Sequence, residues 1–214
     1  MKLYGISLSP YVRKVLMVAA EKGLELEVVP VGLGQPNPDF LACSPFAKMP
    51  GFEDGDFRIS DSTAIVTYLD ARYPEPPMYP STPEDRARAV WFEELADTIF
   101  VAVGGKIFFN RVVAKLIGRE GDLAAADKAA AEELPPVYDY LEKVVPEASG
   151  FLVGNRLSIA DIAVASPFVN MMHTGTMPDP ARYPRLSAWA RSWLERPGVA
   201  ALLEREQAIV RRAA

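Results

Sequence analysis

The sequence predicts a chain in two parts, a small α/β sheet domain over residues 1–73 and an all-helical bundle over 84–214, joined by a linker at 74–83. Three observations carry this. The chain opens strand, helix, strand within roughly thirty residues, the βαβ unit that gives a parallel pair and a right-handed crossover. Asp54-Gly55-Asp56 stands between two short strand-like runs, where glycine supplies the positive φ of a hairpin turn. From Tyr73-Pro74-Glu75-Pro76-Pro77 to Pro80-Ser81-Thr82-Pro83 all periodicity breaks, and every apolar pattern beyond recurs at helical spacing. The order βαβ-α-ββα followed by helices alone is a four-stranded sheet and then a bundle.

Lys2 to Ile6 reads as the first strand. Ser9 sits at an N-cap position and Pro10 at the first helical position of a stripe made of Val12, Val15, Leu16, Val18 and Ala19, and Gly23 supplies the left-handed stop. Leu24 to Val31 alternates as a second strand, and the Gly-, Pro- and Asn-rich stretch from Gly32 to Ala47 has room for one short helix near Asp39 to Ala42. A strand follows Pro50, and Phe57 and Ile59 alternate with Arg58 and Ser60 in the next. Asp61-Ser62 then opens a helix on Ala64, Ile65, Tyr68 and Leu69. Past the linker, Glu84 to about Gly118 is one long helical pattern. Gly104-Gly105 inside it predicts a bend or a closely packed neighbour, since each glycine costs about 1 kcal/mol of helix propensity. Asp122 to Val145 is a second helix, kinked near Pro135-Pro136. Ser158-Ile159-Ala160-Asp161 is a capping box leading an all-apolar helix to Met172, which belongs at the bundle centre. Helices around Leu186–Glu195 and Val199–Val210 finish the chain.

Half of the 214 residues are hydrophobic and the net charge is -5, so the chain reads as globular and lacks the clustered Lys and Arg of a nucleic-acid partner. One cysteine allows no internal disulfide, which fits a reducing compartment, and no apolar run reaches membrane-spanning length. With no signal-peptide core at the N-terminus either, the reading is a cytoplasmic protein with no membrane partner. One cysteine and one histidine far apart argue against a metal site.

The chemistry gathers at three places. Met49-Pro50 enters a strand, where a cis bond would turn the Met49 N–H and C=O off the sheet ladder and leave them to pair with an extended peptide ligand. At Asp61-Ser62 a helix start offers N–H groups and partial positive charge to a carboxylate, and Asp61 adds a fixed negative charge for an ammonium; a plain N-cap pair is the competing reading. Ser9 lies between a strand end and a helix start, where a thiol would have its anion stabilised by main-chain donors and by the serine hydroxyl. Tyr4, within the strand, is a weaker rival donor. Phe100, Gly104 and Phe108 share one helical face and, with Tyr11, are the expected apolar wall for an electrophile between the Ser9 loop and the long helix; aromatic stripes on bundle helices also build cores. Cys43 reads as a half-buried structural thiol in a loop, and His173 as a packed or capping residue.

Four stretches in this order, S-L-S-P-Y-V-R-K-V, S-P-F-A-K-M-P, E-D-G-D-F-R-I-S-D-S-T-A-I-V-T-Y-L and L-V-G-N-R-L-S-I-A-D-I-A, resemble the cytosolic glutathione transferase family over nearly the whole chain. The likeness is to its serine-type classes, of bacterial, phi, theta or zeta kind. It implies a thioredoxin-like first domain and a helical second one. It implies that Ser9 is the hydroxyl donor to the glutathione thiolate and that Met49, ahead of a cis Pro50, pairs with the cysteinyl part. Asp61 and Ser62 would hold the γ-glutamyl end, Lys48 and Gln35 would reach the glycine end, and Phe46 would enter the partner subunit of a homodimer. Glutathione is then a co-substrate, with a small hydrophobic electrophile as second substrate and no metal. Gly51-Phe52, Ala47 and Tyr11 depart from the commoner residues of the pattern, and the zeta-type isomerase run is absent. A glutathione-dependent isomerase, lyase or peroxidase, and a non-catalytic glutathione-binding protein on the same fold, are the alternatives.

Overall fold

The computed structural model describes residues 1–32, 37–147 and 150–211. The chain divides into two compact units, Met1–Met78 and Tyr79–Ala214, the division falling within the proline-rich stretch.

The first unit runs β1 (Lys2–Tyr4), α1 (Pro10–Glu21), β2 (Glu27–Val29), α2 (Pro38–Cys43), β3 (Gly51–Asp54), β4 (Phe57–Ser60) and α3 (Ser62–Arg72). The four strands form one sheet in the order β2-β1-β3-β4, with β1 and β2 parallel and the other pairs antiparallel. Strand alternation splits the core in two. Tyr4 packs with Val31, Phe40 and Cys43 on the α2 side, with Val29 and Met49 at its margin. A second layer is formed by α1 and α3, which pack together and bury Val12, Val15 and Val18 on one and Ile65, Val66 and Leu69 on the other.

Two features differ from the sequence pattern. Of the alternating run Leu24–Val31 only Glu27–Val29 joins the ladder. The strand it pairs with is three residues long, and Pro30 has no N–H to extend the pairing. Cys43 closes α2 instead of lying in a loop, and it is 4% exposed instead of half-buried, because the short helix begins at the Asn37 cap and lays Phe40 and Cys43 on the same buried side.

The unit ends on an ion-pair clasp. The Lys22 ammonium, its side chain fully buried, donates to Asp70 Oδ1, the Tyr73 carbonyl and the Pro76 carbonyl, each at 2.7 Å. Asp70 Oδ1 also accepts the Met78 amide at 2.8 Å.

The second unit is helical throughout its regular structure, among the described residues. Its first rod comprises α4 (Pro83–Glu94), α5 (Val101–Phe108) and α6 (Ala114–Leu116). Between them lie wider π-helical stretches at Leu95–Phe100 and Phe109–Val113, where Val101 N–H reaches the Ala96 carbonyl and Ala114 N–H that of Phe109, five residues back. The glycine pair marks close packing: a Cβ on Gly104 would lie 2.9 Å from Met171 Cε, while one on Gly105 would meet nothing. The rod from α7 (Leu123–Lys128) to α8 (Leu134–Val144) has its own π-helical stretch, Ala129–Glu133, immediately ahead of Pro135-Pro136. Prolines lack the N–H that an α turn requires, so they sit at the start of α8.

At the centre runs α9 (Ile159–Thr174), packed by α4, α5, α10 (Pro184–Leu194) and α11 (Pro197–Arg211). Every residue from Ile159 to Met171 is buried. Its capping box is closed: Asp161 accepts the Leu152 amide at 2.7 Å, the Ser158 amide at 2.9 Å and the Ser158 hydroxyl at 3.2 Å. Burial pushes the Asp161 carboxyl up to about 6, against those hydrogen bonds. In the last turn, His173 Nε2 lies 3.2 Å from Glu206 Oε2, a largely buried link between α9 and α11.

Candidate functional site

Strand register builds the site. Tyr4, Gly51 and Ser60 lie side by side in one row across β1, β3 and β4. The loop that leaves β1 toward Ser9, the loop that enters β3 through Met49-Pro50, and the turn that leaves β4 into Asp61 therefore emerge at the same end of the sheet. A Cβ on Gly5, just past the row, would touch both Val12 of α1 and the Met49 Cβ, at 2.5 and 3.5 Å.

Ser9 occupies the N-cap of α1 but its hydroxyl does not cap; its carbonyl accepts the Arg13 amide at 2.9 Å. Ser9 is half-buried at the start of the helix. Tyr11, one residue into the helix past Pro10, is half-buried too.

The Met49-Pro50 bond is cis. Met49 precedes the first ladder residue of β3, and among the described residues its N–H and C=O have no hydrogen-bond partner. Lys48 is exposed beside it, and Phe46, on the same loop, is 86% exposed. Gln35 lies outside the described residues.

Asp61 is the N-cap of α3 with φ +80, a left-handed value that is costly for a residue with a side chain, about 1–3 kcal/mol. Its Oδ1 alone does the capping, accepting Thr63 N–H at 2.9 Å and Ala64 N–H at 3.1 Å. The residue is exposed, and Oδ2 has no partner among the described residues. Ser62 is buried, and its amide and hydroxyl likewise have no recorded partner among the described residues. A negatively charged oxygen and a helix-start N–H thus stand next to each other, the complement of an amino-acid end group.

The rival hydroxyl points elsewhere. Tyr4 is 2% exposed on the α2 side, with its ring 6.4 Å from that of Phe40 and its OH 3.5 Å from Glu53 Oε2. Burial, and then the Glu53 carboxylate, push its phenol up. Glu53 itself is held down by hydrogen bonds from Arg58 and Lys2. Burial also pushes the Cys43 thiol up, away from a thiolate nucleophile.

In the second unit the stripe residues face its core. Phe100 is fully buried, edge-on to Phe168 at 5.0 Å and to Tyr138 at 5.9 Å, and offers no surface to a small molecule. Phe108 is 6% exposed, its ring 6.3 Å from that of His173, and Gly104 meets Met171. Among the described residues no three His, Cys, Asp or Glu side chains cluster as a metal ion would need. No described helix is long and apolar enough to cross a membrane.

One hydrogen-bonding role in the Met49 loop was not read from the sequence. Ser44, 1% exposed, bonds both main-chain groups of Lys48. A serine just past a helix is too common to draw notice, and only the loop geometry reveals what it binds.

A mixed four-stranded sheet of order β2-β1-β3-β4 with helices packed on it, followed by a helical unit, is a thioredoxin-like fold with an all-helical extension. Family models agree: residues 3–77 match the glutathione S-transferase N-terminal domain and residues 109–206 the glutathione S-transferase C-terminal domain. Glutathione S-transferase 3 of Zea mays is 33% identical over 205 residues, spanning 92% of this chain and 90% of its own. A glutathione S-transferase of Hyoscyamus muticus is 30% identical over 213 residues, spanning 97% and 99%. A solved structure of maize glutathione S-transferase I in complex with an atrazine glutathione conjugate superposes with a TM-score of 0.82 at 25% identity, covering 100% of this chain and 99% of that one. The chain belongs to the glutathione S-transferase family, and glutathione transfer is its class of activity.

Proposed function

We propose that this chain is a serine-type glutathione transferase in which Ser9 is the hydroxyl donor to the thiolate. The observation that carries the reading is the common row Tyr4, Gly51, Ser60, which brings the Ser9 loop, the Met49 edge and the Asp61-Ser62 turn to one end of the sheet. Glutathione lies extended across that end. Asp61 Oδ2 takes the γ-glutamyl ammonium, and the Ser62 amide and hydroxyl with the α3 dipole take its carboxylate. The Met49 N–H and C=O pair with the cysteinyl main chain. Lys48, with Gln35, reaches the glycyl carboxylate.

The sulfur then sits at the start of α1. The Ser9 hydroxyl donates to it, and the helix start stabilises negative charge there, so the thiol loses its proton to solvent near neutral pH. The thiolate attacks an electrophilic carbon of a small hydrophobic substrate. A C–S bond forms, and the leaving group departs with its bonding pair or, in an addition, the adjacent carbon takes up a proton. Fixed placement of the sulfur and stabilisation of its anion supply the catalysis. Tyr11, one helical residue past Pro10, is the electrophile-side contact nearest Ser9 in sequence. No metal takes part. The bare Phe46 side chain supports a homodimer in which it is covered by the second copy, and the lone buried cysteine suits a cytoplasmic protein.

Glutathione titration by calorimetry, followed by initial rates with a panel of activated aryl halides, epoxides and hydroperoxides, tests the reading. Binding with turnover of at least one electrophile class is expected. Binding with no turnover of any class would leave a glutathione-binding protein and end the transferase assignment.

A further inference from the structure

We propose that Ser44 is a positioning residue for the ligand's cysteinyl and glycyl parts, acting through Lys48; the proposal rests on the glutathione reading above. Ser44 is the C-cap residue of α2, its amide donating to the Phe40 carbonyl at 2.7 Å. Its buried hydroxyl turns forward. It donates to the Lys48 carbonyl at 2.6 Å and accepts the Lys48 amide at 3.1 Å. A hydroxyl has one hydrogen to give and two lone pairs to accept with, so one side chain satisfies both main-chain groups of Lys48. The Ser44 carbonyl meanwhile accepts the Ala47 amide at 2.9 Å, and Ala47 takes φ +52 to close the turn. Residues 44–48 form a ring locked by one buried oxygen.

The lock has a direction. The Lys48 carbonyl and the Met49 N–H belong to the same planar peptide group, and in a trans peptide they point opposite ways. Holding the carbonyl against Ser44 aims the Met49 N–H away from α2, as the edge that pairs with the cysteinyl part. Holding the Lys48 amide as well fixes the Cα from which the Lys48 ammonium reaches the glycyl carboxylate. With alanine at 44 both groups lose their partner and the peptide plane can turn.

The experiment compares glutathione with its C-terminal amide, which lacks the glycyl negative charge, by calorimetric titration of the full chain as the unmutated form, Ser44→Ala and Ser44→Thr. The ratio of the two Kd values is taken within one variant, so partial unfolding lowers both amplitudes and leaves the ratio. The unmutated chain is expected to prefer glutathione by about tenfold, the scale of one charge-assisted contact. In Ser44→Ala glutathione binds about tenfold more weakly and the preference shrinks to about twofold, while Ser44→Thr, which keeps the hydroxyl, retains both values. An undiminished preference in Ser44→Ala, even with both ligands weakened equally, would mean that Ser44 only holds the loop together; the proposal then falls and the glutathione reading stands. An unmutated chain that binds neither ligand would overturn both.

Discussion

Asp61 and Asp161 hold the same local post, a carboxylate at the start of a helix, and they are finished differently. Asp161 is closed. It is fully buried, accepts three hydrogen bonds from Leu152 and Ser158, and has no capacity left for a ligand. Asp61 is open. It caps with one oxygen, sits at φ +80 and keeps the other oxygen at the surface. Ser9 makes a third case, a residue at a cap position whose side chain does not cap at all. The difference teaches how to separate a folding element from a binding element when the residue types agree: count the donors and acceptors already spent, and ask whether the remainder faces water.

The contrast can be broken in several ways. The largest effect is expected at the closed post. Asp161→Ala strands three buried donors and should cost about 3–5 kcal/mol in urea unfolding; a loss under about 1 kcal/mol would mean the box is not the clasp described. Next is Ser9→Ala. Conjugation should fall by one to three decades in kcat while the glutathione Kd stays within about twofold, and the bound thiol pKa, followed by thiolate ultraviolet absorbance, should rise. Unchanged rates there, with a loss in Tyr4→Phe, would move the donor to β1. Asp61→Asn is milder, since asparagine caps as well as aspartate. The melting temperature should hold while glutathione binds about tenfold more weakly, the reverse of the pattern at Asp161.

The smallest effect is in pH. The Asp161 carboxyl is raised to about 6 in the folded chain. Between the ordinary carboxylate range and that value the folded state holds a proton that the unfolded state has released, so this group's contribution is fully present at acid pH and is lost as pH rises through about 6. Relative to Asp161→Asn, the unmutated chain should lose stability from pH 4 to 6 with a slope approaching one proton; parallel curves for the two would remove the inferred shift.

What was legible in the sequence was local. Ser9-Pro10, Asp54-Gly55-Asp56 and Ser158 to Asp161 each state their own turn or cap chemistry within four residues, and element order follows from them. Register was not written locally: nothing within Leu24–Val31 says that only Glu27–Val29 will pair, because that depends on how long the neighbouring strand is. Periodicity put Phe100, Gly104 and Phe108 on one face, but which face of a bundle helix looks inward is decided by its neighbours, here Phe168 and Met171. Ser44 was hidden for a third reason. It acts on Lys48 through a loop closed by a left-handed Ala47, and alanine gives no hint of that conformation.

The Lys22 clasp bears on anyone wishing to excise the sheet unit. Its ammonium is seated on acceptors at Asp70, Tyr73 and Pro76, and Asp70 in turn holds the Met78 amide. A fragment cut where α3 stops, at Arg72, would leave a desolvated cation facing two missing carbonyls. A gene fragment carried on to Met78 keeps the seat whole, so where to cut is set by the lysine that caps the first helix rather than by the end of α3.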